Sequence, residues 1–455
     1  MQLGHLRSHF VKLEASMSTH VSTLDAKAAV KQPSKAKKIA AITIGNGLEF
    51  FDFSIYTFFA AIIGRQFFPS TSELSSLMLS LATFGVGFLM RPLGGIIIGG
   101  IADRKGRKYA MTLTLWLMAA GSALFIVTPT YAQIGVAAPL LVVLGRLIQG
   151  FAVGGEVGAS TSMLMEYAND KNRAFYSSWQ LFSQALSTLV GAGVGLSLTY
   201  ILTTEQLESW GWRLPFVFGM LLVPLGYYIR RVLDETADPT ALAADEAGGK
   251  HAPSALGEIW RDHRRALVLG TAIIIGGTSA NYIVLHYITT YAKAVLHMPF
   301  ELALWASWIG GLAQLLLCGL AGIITDRIGR KPVATWSRVA LMLLVFPAFM
   351  LMDYSRNALG LFSAVIIMVI PLVFTSVSTI VLMTEQFPRR VRATGLSLCY
   401  GIGVSIFGGF SQLIATWLVK VTGSNLGPAW YVIGTGLVSL VAVALCREKA
   451  GQQLD

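Results

Sequence analysis

GGIADRKGRK (residues 99–108) and GIITDRIGRK (residues 322–331) are one ten-residue phrase written twice, G-x-x-x-D-R-x-G-R-K, 223 residues apart. Each copy lies between two apolar stretches. A second echo falls at a similar offset. Glu166 and Arg173 are seven residues apart, as are Glu385 and Arg392. Two echoes at matched places imply a duplicated unit, the parallel-repeat plan of several membrane folds.

Working outward from the two loops, apolar spans fall near 38–64, 76–101, 109–128, 138–162, 175–202 and 213–231, then near 266–296, 302–324, 332–351, 358–384, 393–419 and 428–446. The chain is 54% hydrophobic and 13% charged, where a soluble domain carries roughly 25% charged residues. Its mean hydropathy is +0.62. A single soluble core could not hide that much apolar surface in 455 residues. Lipid is therefore the solvent, and twelve helices of about 20 residues each fill most of the length. The expected fold class is an all-α polytopic membrane protein with twelve transmembrane helices in two six-helix pseudo-repeat halves. The expected organisation is a tail at 1–37, a six-helix bundle at 38–231, a linker at 232–265, a second bundle at 266–446 and a tail at 447–455. The linker is the longest polar interior stretch, with Asp234, Glu235, Asp238, Lys250, Arg261, Arg264 and Arg265. The loops on the other face are too short for a soluble enzyme or receptor domain.

The net charge of +11 invites a nucleic-acid reading, and its placement removes it. About 27 of the 35 Lys and Arg fall in segments that alternate with spans on one side, while the opposite loops hold only Arg65, Lys293, Arg356 and Lys420. Basic residues concentrate on the cytoplasmic face of membrane proteins. Both termini and the linker are thus expected in the cytoplasm, with no nucleic-acid partner. The first 37 residues are polar and Lys-rich, without the apolar region of a cleavable signal; they read as a disordered arm, with Met17 an alternative start. Cys318, Cys399 and Cys446 lie in or beside apolar spans, far apart. They read as buried small hydrophobes, with no disulfide or metal spacing.

The doubled loop has a readable physics. Glycine permits close approach at a helix end, and an Asp beside several cations makes charge-assisted hydrogen bonds across neighbouring helix termini. Gly99, Asp103, Arg104, Gly106 and Arg107 in one copy, with Asp326, Arg327, Gly329 and Arg330 in the other, are therefore candidates for a cytoplasmic clamp. The alternative is a loop that only sets topology. Its occurrence at matched places in both halves favours the clamp.

The doubled loop also resembles the signature of the major facilitator superfamily. GNGLEFFDFSIY (45–56), FLMRPLGG (88–95), GRLIQG (145–150) with GGE (154–156), and SWGWRLPF (209–216) are similar to motifs of the metabolite:proton symporter family. The likeness covers nearly the whole chain and is nearest to the citrate, tricarballylate and α-ketoglutarate carriers. It implies a multi-pass protein of the bacterial inner membrane that carries a small organic anion with protons, needs no cofactor and works as a monomer. The chain stops at Asp455 without the long coiled-coil extension of the proline/betaine osmosensory member. That favours the anion reading over a zwitterionic osmolyte. Span 5 has Gly191, Gly193 and Gly195 without the proline of drug/proton antiporters.

Ionisable residues inside a bilayer are costly, so each is a functional candidate. Glu49 and Asp52 share roughly one face of span 1 with Asn46 and Tyr56. Glu49 lies roughly 16 Å from the helix start, near the midplane. Glu49 and Asp52, with Glu156 in span 4, are the proton-coupling candidates. The competing reading pairs the carboxylates structurally with Arg91 or Arg146. Arg91 is too deep to snorkel easily, and a guanidinium binds a carboxylate with two parallel bonds. The matching arginine of the dicarboxylate carriers is believed to hold substrate, and the resemblance carries that role to Arg91. Arg146, Tyr56, Gln149, Gln184, Asn281, Tyr282 and His286 complete the substrate candidates; interhelical polar contacts are the plain alternative for each. No Ser/His/Asp set, H-E-x-x-H or phosphate loop is present, so an enzyme is not expected. The expectation is proton-coupled uptake of a carboxylate by alternating access. The alternatives are a proline- or betaine-type symporter and a non-transporting sensor on the same fold.

Overall fold

The computed structural model describes residues 34–105, 107–154, 156–221, 223–224, 226, 255–388 and 391–452. Gly106, most of the linker and most of the N-terminal tail lie outside the described residues, as do the side chains of Gly99, Asp103, Arg104, Arg107, Glu156 and Glu166.

From Ile39 onward the described chain is helical, with no strand among the described residues. The helices fall into the twelve places that the spans predict. Span 1 is α1 (Lys35–Phe58) and α2 (Ala60–Phe67), bent by 66° at Phe59. Span 2 is α3 (Glu73–Leu89) and α4 (Arg91–Lys105), and span 3 is α5 (Arg107–Val127). A short α6 (Tyr131–Ile134) precedes span 4, which is α7 (Ala137–Val153) and α8 (Glu156–Glu166). Span 5 is α9 (Arg173–Ile201); after a short α10 (Thr204–Ser209), span 6 begins as α11 (Leu214–Leu221). The linker ends in α12 (Ala255–Asp262), which the sequence reading did not anticipate. Span 7 starts as α13 (Arg264–Asn281) and continues through π-helical turns at Tyr282–Tyr287 and Tyr291–Val295. Spans 8, 9 and 10 are α14 (Phe300–Ile328), α15 (Arg330–Ser355) and α16 (Ala358–Thr384). Span 11 is α17 (Arg392–Gly403) and α18 (Ser411–Thr422), and span 12 is α19 (Gly427–Leu445). Among the described residues, eight helices are each long and apolar enough to cross a membrane, and α1 with α2 makes a ninth.

Local chemistry explains where the helices start. Ser72 caps α3 by accepting from the Ser75 amide, and Asn357 caps α16 by accepting from Gly360; each such cap satisfies a donor that the first turn leaves open. Small residues then decide how closely helices pack, as is usual where lipid removes a hydrophobic drive between them. A Cβ on Gly150 of α7 would fall 1.7 Å from the Gly87 carbonyl oxygen of α3. On either side of that crossing, Arg91 and Arg146 both reach the Phe53 ring. Between the halves, a Cβ on Gly322 of α14 would lie 2.7 Å from the Phe175 Cα of α9.

The halves meet at both ends of the bundle. At the end holding Phe58 and Phe59, those rings pack on His286 at 6.2 Å and Phe300 at 5.8 Å. There Trp305 Nε1 donates to the Tyr200 hydroxyl at 3.3 Å. Nearer the middle, the Ser405 hydroxyl donates to the Phe88 carbonyl at 2.6 Å. The opposite end is closed by charge, as described next.

Candidate functional site

Span 1 supplies the buried acids. Glu49 and Asp52 are 2% and 6% exposed. The helix does not present all four of its polar residues in one direction. Asn46 turns to α9, donating to Ser183 and accepting from Gln180 at 3.1 Å. Tyr56 turns to α3, its hydroxyl donating to the Ser80 carbonyl at 2.9 Å. Glu49 and Asp52 instead face α5 and α11, where they line a cavity of about 20 Å³ with Met118, Ser122 and Gly219. That is room for a single water.

Asp52 meets Arg146 through Gln149 rather than directly. Arg91 is 2% exposed and Arg146 is 0% exposed. Each is faced by aromatic rings. The Arg146 guanidinium lies 3.7 Å from the Tyr56 ring centroid and 4.9 Å from that of Phe125. Arg91 lies 3.8 Å from Phe88 and 4.9 Å from Phe53. Phe53 is also 5.5 Å from Arg146, so it serves both cations. A desolvated cation–π contact is worth about 2 kcal/mol, enough to offset part of the cost of a cation in the bilayer. A ring offers no strong acceptor to a guanidinium N–H, and most of these donors stay without a partner. None of Arg91 Nε, Nη1 and Nη2 completes a hydrogen bond, nor do Arg146 Nε and Nη2. The in-plane N–H edge is the part which grips a carboxylate.

Gln149 joins acid to base. Its Oε1 accepts from Arg146 Nη1 at 2.9 Å, while its Nε2 donates to Asp52 Oδ2 at 3.2 Å and to Ser122 Oγ at 3.0 Å. Ser122 also bonds Asp52. A charge change on Asp52 is thus transmitted to Arg146 through one amide.

From the second half, Tyr282 packs on Phe84 and Phe88 at 6.1 and 5.7 Å and stands in the field of both arginines. His286 sits between Tyr282 at 5.2 Å and Phe58 at 6.2 Å. Gln184 lies beside the Tyr400 hydroxyl, itself in the field of Arg91. Asn281 is half-buried with its Oδ1 unpartnered. Tyr282 to Tyr287 form a π-turn, a distortion frequent at functional sites. The structure therefore gathers Asp52, Tyr56, Arg91, Arg146, Gln149 and Tyr282 around one point. The residues missed by the sequence reading are Phe53, Phe84, Phe88, Phe125, Ser122 and Tyr400. The i, i+4 pair Phe84 and Phe88, just before Arg91, was the available signal.

The second loop copy forms an ion cluster that crosses the halves. Asp326 accepts the Ala174 and Phe175 amides at 3.0 and 2.9 Å, capping the first turn of α9. Carboxylates are favoured at that helix end. Arg330 lies 3.3 Å from Asp326 and 3.2 Å from Glu385, and Arg173 lies 3.3 Å from Glu385. Burial pushes the Glu385 carboxyl up from its ordinary value, against the pull of Arg330 and Arg173. Gly329 holds a φ of +114°, which a side chain would strain, between α14 and α15. Arg327 is exposed and outside the ion pairs, a departure from the expected clamp. Its place is taken by Arg173 and Glu385. Both stood in the Glu-x6-Arg echo, but they pair across the repeat rather than within it.

Residues 42–408 match the Major Facilitator Superfamily. The chain is 34% identical over 417 residues to the "Citrate-proton symporter" of Klebsiella pneumoniae, covering 92% of this chain and 93% of that one. It is 32% identical over 429 residues to the "Proline/betaine transporter" of Salmonella typhimurium, covering 92% and 84%. The solved partially occluded, inward-open xylose transporter XylE from E. coli superposes with a TM-score of 0.71 at 18% identity, over 92% of this chain and 99% of that one.

Proposed function

The chain belongs to the Major Facilitator Superfamily, and from that premise we propose that it is a proton-coupled symporter of a small organic anion, citrate or another di- or tricarboxylate. The observation that carries this reading is the pair of buried guanidiniums, Arg91 and Arg146, which lie against aromatic rings, Arg91 with none of its nitrogens hydrogen-bonded and Arg146 with Nε and Nη2 still without a partner. Two such cations against one ring, Phe53, suit a polyanion with two carboxylates.

Charge supplies the coupling. Arg91, Arg146, Glu49 and Asp52 sum to zero when all four are ionised. A bound trianion would leave three negative charges in the bilayer core. Moving each against 100 mV costs about 2.3 kcal/mol. Protons on Asp52 and Glu49 remove two of them. Protonation of Asp52 also frees Gln149 and Arg146 from the carboxylate, so acid and substrate act on the same groups. Only a ligand with different affinity for the two states can shift the rocking equilibrium, and the charge of this cluster differs between loaded and empty carrier.

The rocking units are 38–231 and 266–446, with the Asp326–Arg330–Glu385–Arg173 cluster as the cytoplasmic clamp and both termini in the cytoplasm. The basic residues that sit on this face of the sequence support that orientation. Glu156 remains a candidate for coupling, and Gln184, Asn281 and His286 for contact with substrate. The carrier works as a monomer in the bacterial inner membrane, and catalyses no bond chemistry.

A second reading, symport of a zwitterion such as betaine, draws on the proline/betaine relative and on the aromatic lining, since aromatic faces recognise quaternary ammonium groups. Uptake of labelled citrate into proteoliposomes, with and without an inward proton gradient, tests the proposal. Accumulation that a protonophore abolishes is expected. Betaine uptake without any carboxylate uptake would select the second reading, and uptake of neither by folded protein would reject both.

A further inference from the structure

Another buried arginine, outside the ion cluster, lies in the second half, away from the site above. Arg338 is the ninth residue of α15 and is 1% exposed. Its Nε, Nη1 and Nη2 have no hydrogen-bond partner, and no carboxylate among the described residues is within salt-bridge distance. Leaving a charge buried without compensation is strongly destabilising, so a second role has to explain its presence.

The surroundings are built to admit it. Arg338 reaches from α15 toward α13, α16 and α19. A Cβ on Gly276 of α13 would lie 2.8 Å from Arg338 Nη1, so the side chain occupies the room that this glycine leaves. Beside Gly277, the same construction meets Arg338 Nη2 at 3.8 Å and the Thr379 hydroxyl of α16 at 3.9 Å. Guanidinium and hydroxyl thus flank one point of α13. Ser376, three residues before Thr379 on the same side of α16, has a buried hydroxyl without a partner.

That point lies between the site and the charged end along α13. Gly277 precedes Tyr282 by five residues, about 7.5 Å along the helix, toward the end that holds Asp326, Arg330 and Glu385. Asn281 stands one turn above Gly277 on the same face. α13 then changes to a π-turn at Tyr282, where it meets Phe84 and Phe88 of the first half. Asn281 and Gly277 thus form the stretch of α13 that runs from Tyr282 toward the charged end.

We propose that Arg338, with Thr379, is a second carboxylate-binding position, a relay that receives the substrate anion from Arg91 and Arg146 as α13 and α16 part from the first half. This rests on the anion-symport reading. In this structure the relay is closed against Gly276; in the state open at the charged end it offers a guanidinium edge to one carboxylate.

The test compares wild type, Arg338→Gln and Arg338→Lys in proteoliposomes, reading citrate uptake under an inward proton gradient and equilibrium citrate binding. A relay predicts that the Gln variant binds citrate within about twofold of wild type but transports it at least about tenfold more slowly, the weight of one buried charge-assisted bond. Lysine should restore a large part of the rate. A merely structural role would lower melting temperature and reduce both readouts, and lysine would not rescue; that outcome overturns the relay. So does a Gln variant with normal turnover. If wild type itself moves no carboxylate, the function reading fails and the relay falls with it. Should both Arg338 variants fail to fold, Thr379→Cys keeps Arg338 intact. Its modification by an anionic methanethiosulfonate should outpace a cationic one by about tenfold or more, and citrate should protect it. Equal rates without protection would refute the proposal.

Discussion

Replacing Arg173 by alanine should open the charged end of the carrier. Arg173 is 5% exposed and pairs with Glu385, which is 0% exposed, across the two halves. Breaking a buried pair usually costs 3–5 kcal/mol because the surviving charge is left alone. Here Glu385 keeps Arg330 at 3.2 Å, and Asp326 still caps α9 through two amides. The loss is therefore smaller: the Glu385 contact alone, apart from Arg173's bonds to Asp170 and the Gln452 carbonyl, is worth about 2 kcal/mol, the weight of one hydrogen bond between charged groups. At 1.4 kcal/mol per tenfold, that multiplies the open population about 30-fold. The readout is a cysteine at Ser177, one turn further into α9 and 0% exposed, in a background where Cys318, Cys399 and Cys446 are serine. Its labelling by a water-soluble thiol reagent should accelerate about 30-fold in Arg173→Ala. The exposed change Lys171→Ala should leave it unaltered. Acceleration of less than about threefold, well below the 30-fold estimate, in folded protein would refute the idea that this pair holds the end shut.

The other predictions use the same reporter or the uptake assay. Gly322→Ala should also speed Ser177→Cys labelling, without any change of charge, because the added Cβ would sit 2.7 Å from the Phe175 Cα. Acidification should slow that labelling, normalised to an exposed cysteine at Ser209. The Glu385 carboxyl is pushed up by burial in the closed cluster, so it binds its proton more tightly there than when solvated. Closure is then favoured below the ordinary carboxylate value and loses that support as pH rises through the raised one; Glu385→Gln should weaken the dependence, since Asp326 stays in the same cluster beside Arg330. Gln149→Leu should cut gradient-driven citrate accumulation at least tenfold, since it removes bonds to both Arg146 and Asp52, while citrate exchange, which needs no net proton movement, falls less. Arg91→Gln should raise the citrate KM about a hundredfold by removing a two-bond carboxylate grip, with partial recovery in Arg91→Lys; an unchanged KM in Arg91→Gln would remove that residue from the site.

Composition, the twelve apolar runs and the doubled G-x-x-x-D-R-x-G-R-K phrase determined the fold class, because span length and backbone satisfaction in lipid leave few options. The same rule exposed Arg91, Arg146, Glu49 and Asp52 as residues needing a reason. What those four touch was not legible. The Asn46–Glu49–Asp52–Tyr56 spacing suggested one face, yet a helix buried on most sides sends neighbouring residues to different partners, so Asn46 reaches α9 and Tyr56 reaches α3. The ring cage around the arginines, the Gln149 bridge and the Arg173–Glu385 pair each join residues far apart in sequence. Spacing along one helix carries no information about which side chain another helix brings opposite it. That was decided by the close glycine crossings, such as Gly87 on Gly150 and Gly322 on Phe175, which set the distance and register between helices.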